Sequence, residues 1–580
     1  MKRGEQWNDK DSSFSRILRT SSVSVGATVV LLAIASGCTT ARQSTTKPEI
    51  KQQTYALPEG LHAEAQYRPG VDPSQYPLIE VYLQNRTSKQ VEWKQASLNG
   101  EQLQMLTNGV VWYQFYPSER ADPGETVLLQ INLVANPRKE QTVECGTRDG
   151  QRVKTIIPAF SIPPVRIDGV TFGWDFRKVF VAYSPQSYFD CSQLVPARVT
   201  VNGTELSRAS YLMSEPALEQ PAMLRVALPG PTKQGCPVHL RLEFKNGIVR
   251  QCLLRAHKGV FLDAFGVAES DRKLRTQLGL DLRPFGRFSG GDPACTDLEL
   301  GRKYGASMPT LLATRKTWWE ESDDRLSYVS LCTAATPNAA YSIYGQCMDA
   351  TEANPYRLHW SQDARFVETE ERYLRWARQA AAPRPWFWFP EAWEVNRRIL
   401  EPEELRLLTC AAIGLGVKGI NYFTYSYRGS KPVTGFDQSP RLLAEIKTLN
   451  RMLKKYERVF SAAIPISEAT IGADGNSVRV HTLWSGEEGV LVAVRRTDYT
   501  TDREPNELGS RPRFRYGPPE TTHVRIIKPR WMKVRPSPSE FITVNAIDLM
   551  TGKHIRCKMN ARDIWFDVHL DLGKLIFIPS

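Results

Sequence analysis

Acids and aromatic residues gather at the ends of short apolar runs in the middle third of the chain. Asp263 closes Val260-Phe-Leu-Asp. Glu352 and Asn354 sit in Met348-Asp-Ala-Thr-Glu-Ala-Asn-Pro-Tyr356. Glu391 follows Trp386-Phe-Trp-Phe-Pro, with Trp393 two positions on, and Tyr422, Tyr425 and Tyr427 lie at the end of the next run. A carboxyl directly after so apolar a run is partly stripped of water, which lifts its pKa toward the range of a general acid. Two such carboxyls flanking a sugar can share glycosidic hydrolysis: one donates a proton, the other attacks or activates water. Tryptophan and tyrosine add flat apolar faces with a polar edge, suited to sugar rings. The reading therefore takes Glu391 and Glu352 as the catalytic pair, order unassigned. Asp263, Asn354, Trp393, Tyr422 and Tyr425 are taken as substrate-binding residues.

Each residue also has a plainer role to fill. A strand-end Asp such as Asp263 often pins a loop, and Glu391 can bond backbone amides. Tyr422 and Tyr425 point to opposite faces of a strand, so at most one lines a pocket. Of Trp386 and Trp388, one ring is expected inside and the other against a helix. Trp318-Trp319 fits either a sugar platform or packing between domains.

Other chemistries are poorly served. The chain holds only eight histidines, and no His/Cys spacing suggests zinc. His554 and Cys557 form a lone pair. Gly414-Leu-Gly-Val-Lys-Gly419 matches the dinucleotide-binding glycine pattern, but it follows a helix and precedes a strand, the reverse of the required order. It reads as a helix stop and tight turn. No Walker loop, GxSxG or HExxH occurs. No cofactor and no metal are expected. Net charge is +13, with the basic residues scattered rather than blocked, so nucleic acid is not an expected partner.

The elements that must position these groups can be read from periodicity. At 580 residues the chain exceeds a single core, so several domains are expected. From 58 to 257 the pattern is period two, punctuated by Asn99-Gly100, Asn202-Gly203 and Asn246-Gly247. Such pairs supply the positive φ of tight hairpins. Two β-sandwiches fit, at 58–160 and 161–257, joined near Pro158–Pro164. From 258 to 461, short apolar runs alternate with helical patterns. Val260–Phe265, Met308–Ala313, Tyr328–Ala334, Trp386–Phe389 and Ile420–Tyr425 are predicted strands. Helices are predicted over 361–380, over 402–415 behind Pro402-Glu-Glu, and over 440–457 behind Ser439. That alternation predicts a parallel (β/α)8-type barrel. From 462 to 580 strands return as a C-terminal β-sandwich.

The N-terminus carries Lys2, Arg3, Lys10, Arg16 and Arg19, then an apolar stretch from Val23 to Ile34, then Ala35-Ser-Gly-Cys38. A charged start, a short apolar core and small residues make a secretory signal. The end of it resembles the lipobox of bacterial lipoproteins. That resemblance implies cleavage after residue 37 and lipidation of Cys38; the Thr, Ser, Gln, Lys and Arg that follow have almost nothing to bury, so 38–57 is expected to be a flexible tether. The lipobox resemblance implies an exported protein anchored to the cell-envelope membrane, with Thr39 favouring the outer membrane. Export permits disulfides, and Cys191–Cys236 or Cys236–Cys252 are candidate bridges.

Pro385–Trp393, then Pro402–Arg406, then Ala412–Tyr425 resemble the late strands of glycoside-hydrolase-like TIM barrels with a β-galactosidase-type barrel flanked by β-sandwiches. Thr351-Glu352 stands nearest to that family's Asn-Glu pair. The resemblance implies hydrolysis of glycosidic bonds in a polysaccharide or glycoconjugate by two carboxylates. The alternative is a non-catalytic carbohydrate-binding or scaffold lipoprotein with a degenerate barrel.

Overall fold

The computed structural model describes residues 60–580 apart from 69, 72–77, 105–111, 133–137, 160–164, 186–193, 214–220, 285, 289–296, 298–304, 322–323, 333–336, 356–365, 395–398, 427–433, 474–475, 503–512, 530 and 533–539. The expected leader, Cys38, the tether, Cys191, Cys295, Tyr427 and most of the Pro-rich joint lie outside the described residues. No helix among the described residues is long and apolar enough to cross a membrane.

The first two hundred described residues are strands, as their period-two pattern dictates. One four-stranded sheet orders Leu61–Arg68, Leu78–Asn85, Thr126–Asn132 and Trp112–Tyr116. It faces a second sheet built on Val91–Leu98, Gln141–Thr147 and Arg152–Ile157, and Ile79, Val81, Trp93, Leu129 and Val143 fill the space between. A second pair of four-stranded sheets repeats the plan over Val165–Arg255, with Val179, Val181, Val199, Leu224, Leu240 and Leu242 between them. Two of the three Asn-Gly turns have both residues at positive φ, Asn99 at 53° with Gly100 at 84° and Asn202 at 46° with Gly203 at 75°; in the third only Gly247, at 79°, is positive. That handedness matches the twist of the flanking strands.

Six parallel strands follow, each succeeded by a helix. They are β1 (Phe261–Ala264), β2 (Gly286–Phe288), β3 (Leu326–Cys332), β4 (Ala350–Asn354), β5 (Trp386–Trp388) and β6 (Gly419–Tyr422). The helices are α1 (Arg272–Leu278), α2 (Met308–Glu321), α3 (Pro337–Tyr344), α4 (Phe366–Ala381), α5 (Pro402–Gly414) and α6 (Pro440–Lys455). The sheet order is β1-β6-β5-β4-β3-β2, so the ring is nearly closed. Among the described residues β1 and β2 share no ladder. Asp281, just after α1, bridges toward β1: its amide donates to Leu262 O at 3.0 Å and its carboxylate accepts from Leu262 N at 2.8 Å. The sequence predicts eight βα units, and the described residues carry six.

Three local expectations need correction. Met308–Ala313 is the start of α2, not a strand. A short apolar run does not distinguish the two, and here Met308, Leu311, Leu312 and Arg315 are buried at helical spacing. Strands β2 and β4 were not predicted, because Glu352 and Asn354 make β4 look like a polar loop. Trp386 and Trp388 both face outward, since residues two apart share a strand face. The Trp388 indole donates to Glu370 Oε1 on α4 at 3.1 Å, and Phe387 between them points inside. By contrast α5 begins as read, with Pro402 at its first turn and a capping box between Glu401 and Glu404. Helix α6 is capped by Ser439. The glycine pattern is the expected stop and turn, with Gly416 at φ +82° between α5 and β6.

The remaining chain forms one eight-stranded antiparallel sheet that curls on itself. Val480, Val492, Val524, Phe566 and Ile576 close its interior. Leu483, Leu491, Ala493, Leu575 and Phe577 leave that interior and join the barrel's outer core. Glu371 on α4 clamps the contact, accepting from Arg495 at 2.7 Å and from Arg479 at 2.8 Å. At the base of the barrel, Asp349 ties it to both earlier sandwiches. It accepts from Tyr116 at 2.9 Å, Arg255 at 3.0 Å, the Trp319 indole at 3.1 Å and Ser327 N at 2.8 Å. Trp319 thus packs between domains, edge-on to Tyr116 at 5.3 Å.

Of the two expected disulfides, Cys236–Cys252 does not form, and Cys191–Cys236 involves a residue outside the described ones. Cys236 and Cys252 are both free thiols, as are Cys145, Cys347, Cys410 and Cys557. Hairpin register pairs Cys252 with Leu240, which leaves Cys236 beyond the start of the partner strand.

Candidate acid site in the barrel

Alternation along each parallel strand sorts its residues into an inner and an outer set. The lowest inner layer is apolar: Phe261, Tyr328, Ala350 and Phe387 form one cluster. Phe261 and Phe387 stack at 4.8 Å. Burying each such ring contributes roughly 1.5–3 kcal/mol. The rings fit because Gly419 carries no side chain. A Cβ there would lie 2.7 Å from Phe261 Cβ and 2.8 Å from the Phe387 ring.

The next inner layer, toward the carboxyl ends of the strands, is polar. Asp263, Ser330, Glu352 and Asn421 stand two residues beyond Phe261, Tyr328, Ala350 and Gly419. Register pairs Asp263 with Asn421 and Ser330 with Glu352. Asn421 Nδ2 donates to Glu352 Oε1 at 3.1 Å and lies 3.4 Å from the Tyr328 hydroxyl. Glu352 is wholly buried. Burial, then the charges of Glu352 and Asp263, push the Tyr328 phenol well above its ordinary pKa. Tyr328 is therefore a neutral hydroxyl sensing two carboxylates. Three buried atoms of this region, Ser330 Oγ, Asn354 Oδ1 and Asn421 Oδ1, have no hydrogen-bond partner among the described residues. Buried polar groups rarely stay so, and they mark positions where a ligand can bond.

Asp263 does pin a loop, and it does more. Its Oδ1 accepts from Arg275 on α1 at 2.7 Å and from Ala264 N at 2.9 Å. Arg275 also donates to Asp281 O at 2.5 Å, so one guanidinium holds β1, α1 and the following loop together. Burial still raises the Asp263 pKa, against the pull of Arg275. Its side chain keeps 22 % exposure, so solvent reaches this carboxyl while Glu352 is sealed.

The other expected residues spread along the mouth. Asn354 ends β4, one inner position above Glu352. Glu391 lies past β5, buried, and bridges in register with Phe423 beyond β6. That register sets Glu391 two residues beyond the level of Asn421, the residue that bonds Glu352. Trp393 is half-buried and edge-on to Phe423 at 5.8 Å. Phe389 and Phe265 lie 5.3 and 5.4 Å from the same Phe423 ring. Four aromatic rings thus sit over the polar layer. Tyr422 is not among them, which corrects that expectation: it follows the inward Asn421 and so faces outward, its hydroxyl donating to Asn450 on α6 at 2.9 Å. Tyr425 is half-buried, against Phe436 at 5.3 Å.

Tyr328, Ser330 and Asn421 were missed in the sequence. The available signal was a polar residue in an otherwise apolar strand, as in Gly419-Ile-Asn-Tyr and Tyr328-Val-Ser-Leu. The structure thus brings Glu352, Asp263, Tyr328 and Asn421 together, sets Glu391 and Trp393 at the rim, and sends Tyr422 to the far side of its strand.

The fold and site define a mixed α/β protein with a nearly closed parallel six-stranded sheet, flanking antiparallel sheets and an acid cluster inside the ring. No family model matches the sequence, and no curated protein matches it significantly. Solved structures resembling it include glycoside hydrolases. An Anoxybacillus α-amylase shares 12 % identity over 47 % of this chain and 56 % of its own, with a TM-score of 0.29. A maltogenic α-amylase of Thermotoga neapolitana shares 12 % over 48 % and 68 %, at 0.28. A Thermotoga maritima α-fucosidase shares 9 % over 47 % and 49 %, at 0.25. The chain spans about half the length of the first of these.

Proposed function

We propose that the barrel is a glycoside-hydrolase-type centre acting on a polysaccharide or glycoconjugate. The observation that carries this reading is the layer at the carboxyl ends of the strands, where Glu352, Asp263 and Asn421 stand next to the Tyr328 hydroxyl of the layer below. Asp263, with its raised pKa and open face, suits proton donation to a leaving oxygen. Glu352, held by Asn421, suits stabilisation of the positive charge that develops on the sugar or activation of its attacker. Ser330, Asn354 and Asn421 offer hydrogen bonds to sugar hydroxyls. Glu391 belongs to the rim, an acid near enough to contact a longer substrate. The test is turnover on a panel of polysaccharides and nitrophenyl glycosides. Glu352→Gln and Asp263→Asn should each abolish turnover with the fold intact by circular dichroism, and Glu391→Gln should lower it less. Full activity in Glu352→Gln would remove that residue from the chemistry.

A second reading has its own support in the complete burial of Glu352. A sealed carboxylate suits a barrel that binds sugar at its rim without cleaving it. Glycan binding that survives Glu352→Gln, with no turnover in either protein, would establish it.

We further propose that the chain is exported and held to the outer membrane through acyl chains on Cys38. The charged, apolar and small-residue order of its first 38 residues supports this. Acyl labelling of the protein in cells should disappear in Cys38→Ala. Persistent labelling would overturn the assignment.

A further inference from the structure

At the amino ends of its strands, away from the acid layer, the barrel meets the second sandwich and the first strand of the C-terminal sheet, Ala463–Ala473, around a small cavity. Arg378 lines it from α4, Arg384 from the turn after that helix, Trp386 from the start of β5 and Lys418 from the turn before β6. Asp168 and His257 close it from the sandwich side. Asp168 is there because its strand, Val165–Phe172, bulges: the pairing register skips from Ile167 to Gly169. A bulge of this kind re-aims the extra side chain.

The charges around this cavity do not balance, because each nearby acid already has a partner. Asp168 accepts from Arg166 at 2.6 Å and from Ser184 at 2.5 Å. Glu468, which faces Arg378 from the C-terminal sheet, is bonded by Arg375 at 2.6 Å. Asp349, near Arg384, is paired with Arg255 at 3.0 Å and also faces Arg315. Among the described residues no carboxylate lies within ion-pair distance of Arg378, Arg384 or Lys418. His257 adds no positive charge, because burial holds its pKa at about 4. Burial also lowers Lys418 to about 7 and Arg378 to about 10, which leaves the guanidinium charged at pH 7. Buried charges are ordinarily paired.

Donors on the same wall are left over as well. Arg384 gives Nη1 to Gln346 O at 2.9 Å and to Met348 O at 2.8 Å, and its Nη2 has no partner among the described residues. The Tyr116 ring centre, 3.7 Å away, fixes this guanidinium without neutralising it. The buried Trp386 indole nitrogen has no partner among the described residues either. Lys418 Nζ donates to Phe460 O at 3.0 Å and to Ala463 O, which uses two of its three hydrogens.

The cavity offers about 30 Å³ to the centre of a water-sized particle, where one water needs roughly 10–15 Å³. That admits one small ion and excludes a sugar. We propose that this cavity binds one small monovalent anion of the size of chloride, held by Arg378, Arg384, Lys418 and the Trp386 indole. Water could meet the spare donors but would leave the charges uncompensated. The anion joins α4, β5 and the turn before β6 to the second sandwich, and it does so whether or not the barrel is catalytic.

The test is thermal unfolding of the whole protein, first freed of halide in sodium gluconate and then titrated with sodium chloride at constant ionic strength. The melting temperature should rise by several degrees and saturate, since a ligand that binds only the folded state stabilises it. Crystals soaked in bromide should show anomalous scattering in the cavity. Phosphate, too large for the space, should not compete. Arg378→Gln should raise the chloride dissociation constant by about tenfold or more, the effect of losing one hydrogen bond to a charged group. Lys418→Met should do the same, and Arg378→Gln, at a half-buried position, keeps the test decisive should Lys418→Met fail to fold. Glu352→Gln should respond to chloride like the natural protein, which separates this proposal from the barrel chemistry. A melting temperature that does not saturate with chloride, a chloride dependence unchanged in Arg378→Gln, competition by phosphate, or bromide found only elsewhere would each overturn it.

Discussion

Replacing Glu371 by Gln should loosen the C-terminal sheet from the barrel, and the size of the effect can be worked out from its surroundings. The Glu371 carboxylate is 1 % exposed. Burial alone would push its pKa up. The guanidinium groups of Arg495 and Arg479, with the His481 imidazole close by, outweigh burial and bring it down from 4.5 to about 2. That fall corresponds to about 3 kcal/mol of preference for the charged form in the folded protein. The substitution also strands Arg495, itself 1 % exposed, and removing one member of a buried pair costs about 3–5 kcal/mol. Both routes lead to about 3 kcal/mol or more, or a fall in melting temperature of roughly 6–12 °C for a unit of domain size. The assay is a thermal melt followed by calorimetry at pH 7 and at pH 3. A depressed folded pKa stabilises above the unfolded value and loses that effect as pH falls from about 4.5 toward 2. The gap between natural protein and Glu371→Gln should therefore narrow at pH 3. Glu371→Leu with Arg495→Met should recover a large part of the loss, because an apolar pair avoids the cost of desolvating two charges. A Glu371→Gln protein melting within a degree of the natural one at pH 7 would refute the reasoning. A gap that widened at pH 3 would refute the electrostatic part of it.

Two other substitutions or treatments probe the rest of the fold. Gly419→Ala should disrupt the barrel, since its methyl group meets Phe261 Cβ at 2.7 Å in a layer with no free space. Overpacking of that kind costs typically 1–3 kcal/mol, and a melting point equal to the natural one would count against the described ring. Thiol reagents should find Cys236 before Cys145, Cys252, Cys347, Cys410 and Cys557, because those five are buried and burial holds their thiols up, at about 12 for Cys252, Cys347, Cys410 and Cys557. A disulfide joining Cys236 to Cys252 in a mass-spectrometric map of the non-reduced protein would count against the described hairpin.

Much of the architecture was legible because it depends on local periodicity. Runs such as Leu240-Arg-Leu-Glu-Phe244 alternate cleanly when one face is wet, so the flanking sheets could be read residue by residue. Helices α5 and α6 declared their starts through Pro402-Glu-Glu and Ser439-Pro. The barrel strands were harder. Buried on both faces, they lose alternation, and β4 (Ala-Thr-Glu-Ala-Asn) hides a strand behind polar letters. Met308-Pro-Thr-Leu-Leu-Ala erred the other way, since a short, mostly apolar run suits a helix as well as a strand.

What the chain determines by itself is the order of its parts: an N-terminal leader pattern, two stretches of alternating strands, a zone of strand and helix, and strands again. It also determines that acids and aromatics follow apolar runs, because those are properties of neighbours in sequence. Which acids meet is a different matter. Glu352 and Asn421 are 69 positions apart, and their bond exists only because parallel register sets their strands side by side with the same parity. Likewise Asp263 and Tyr328 come within electrostatic reach because the sheet curls into a nearly closed ring, while Tyr422, one residue from Asn421, is turned away. Long-range pairing and the inside or outside of a closed sheet are decided by packing across the whole ring.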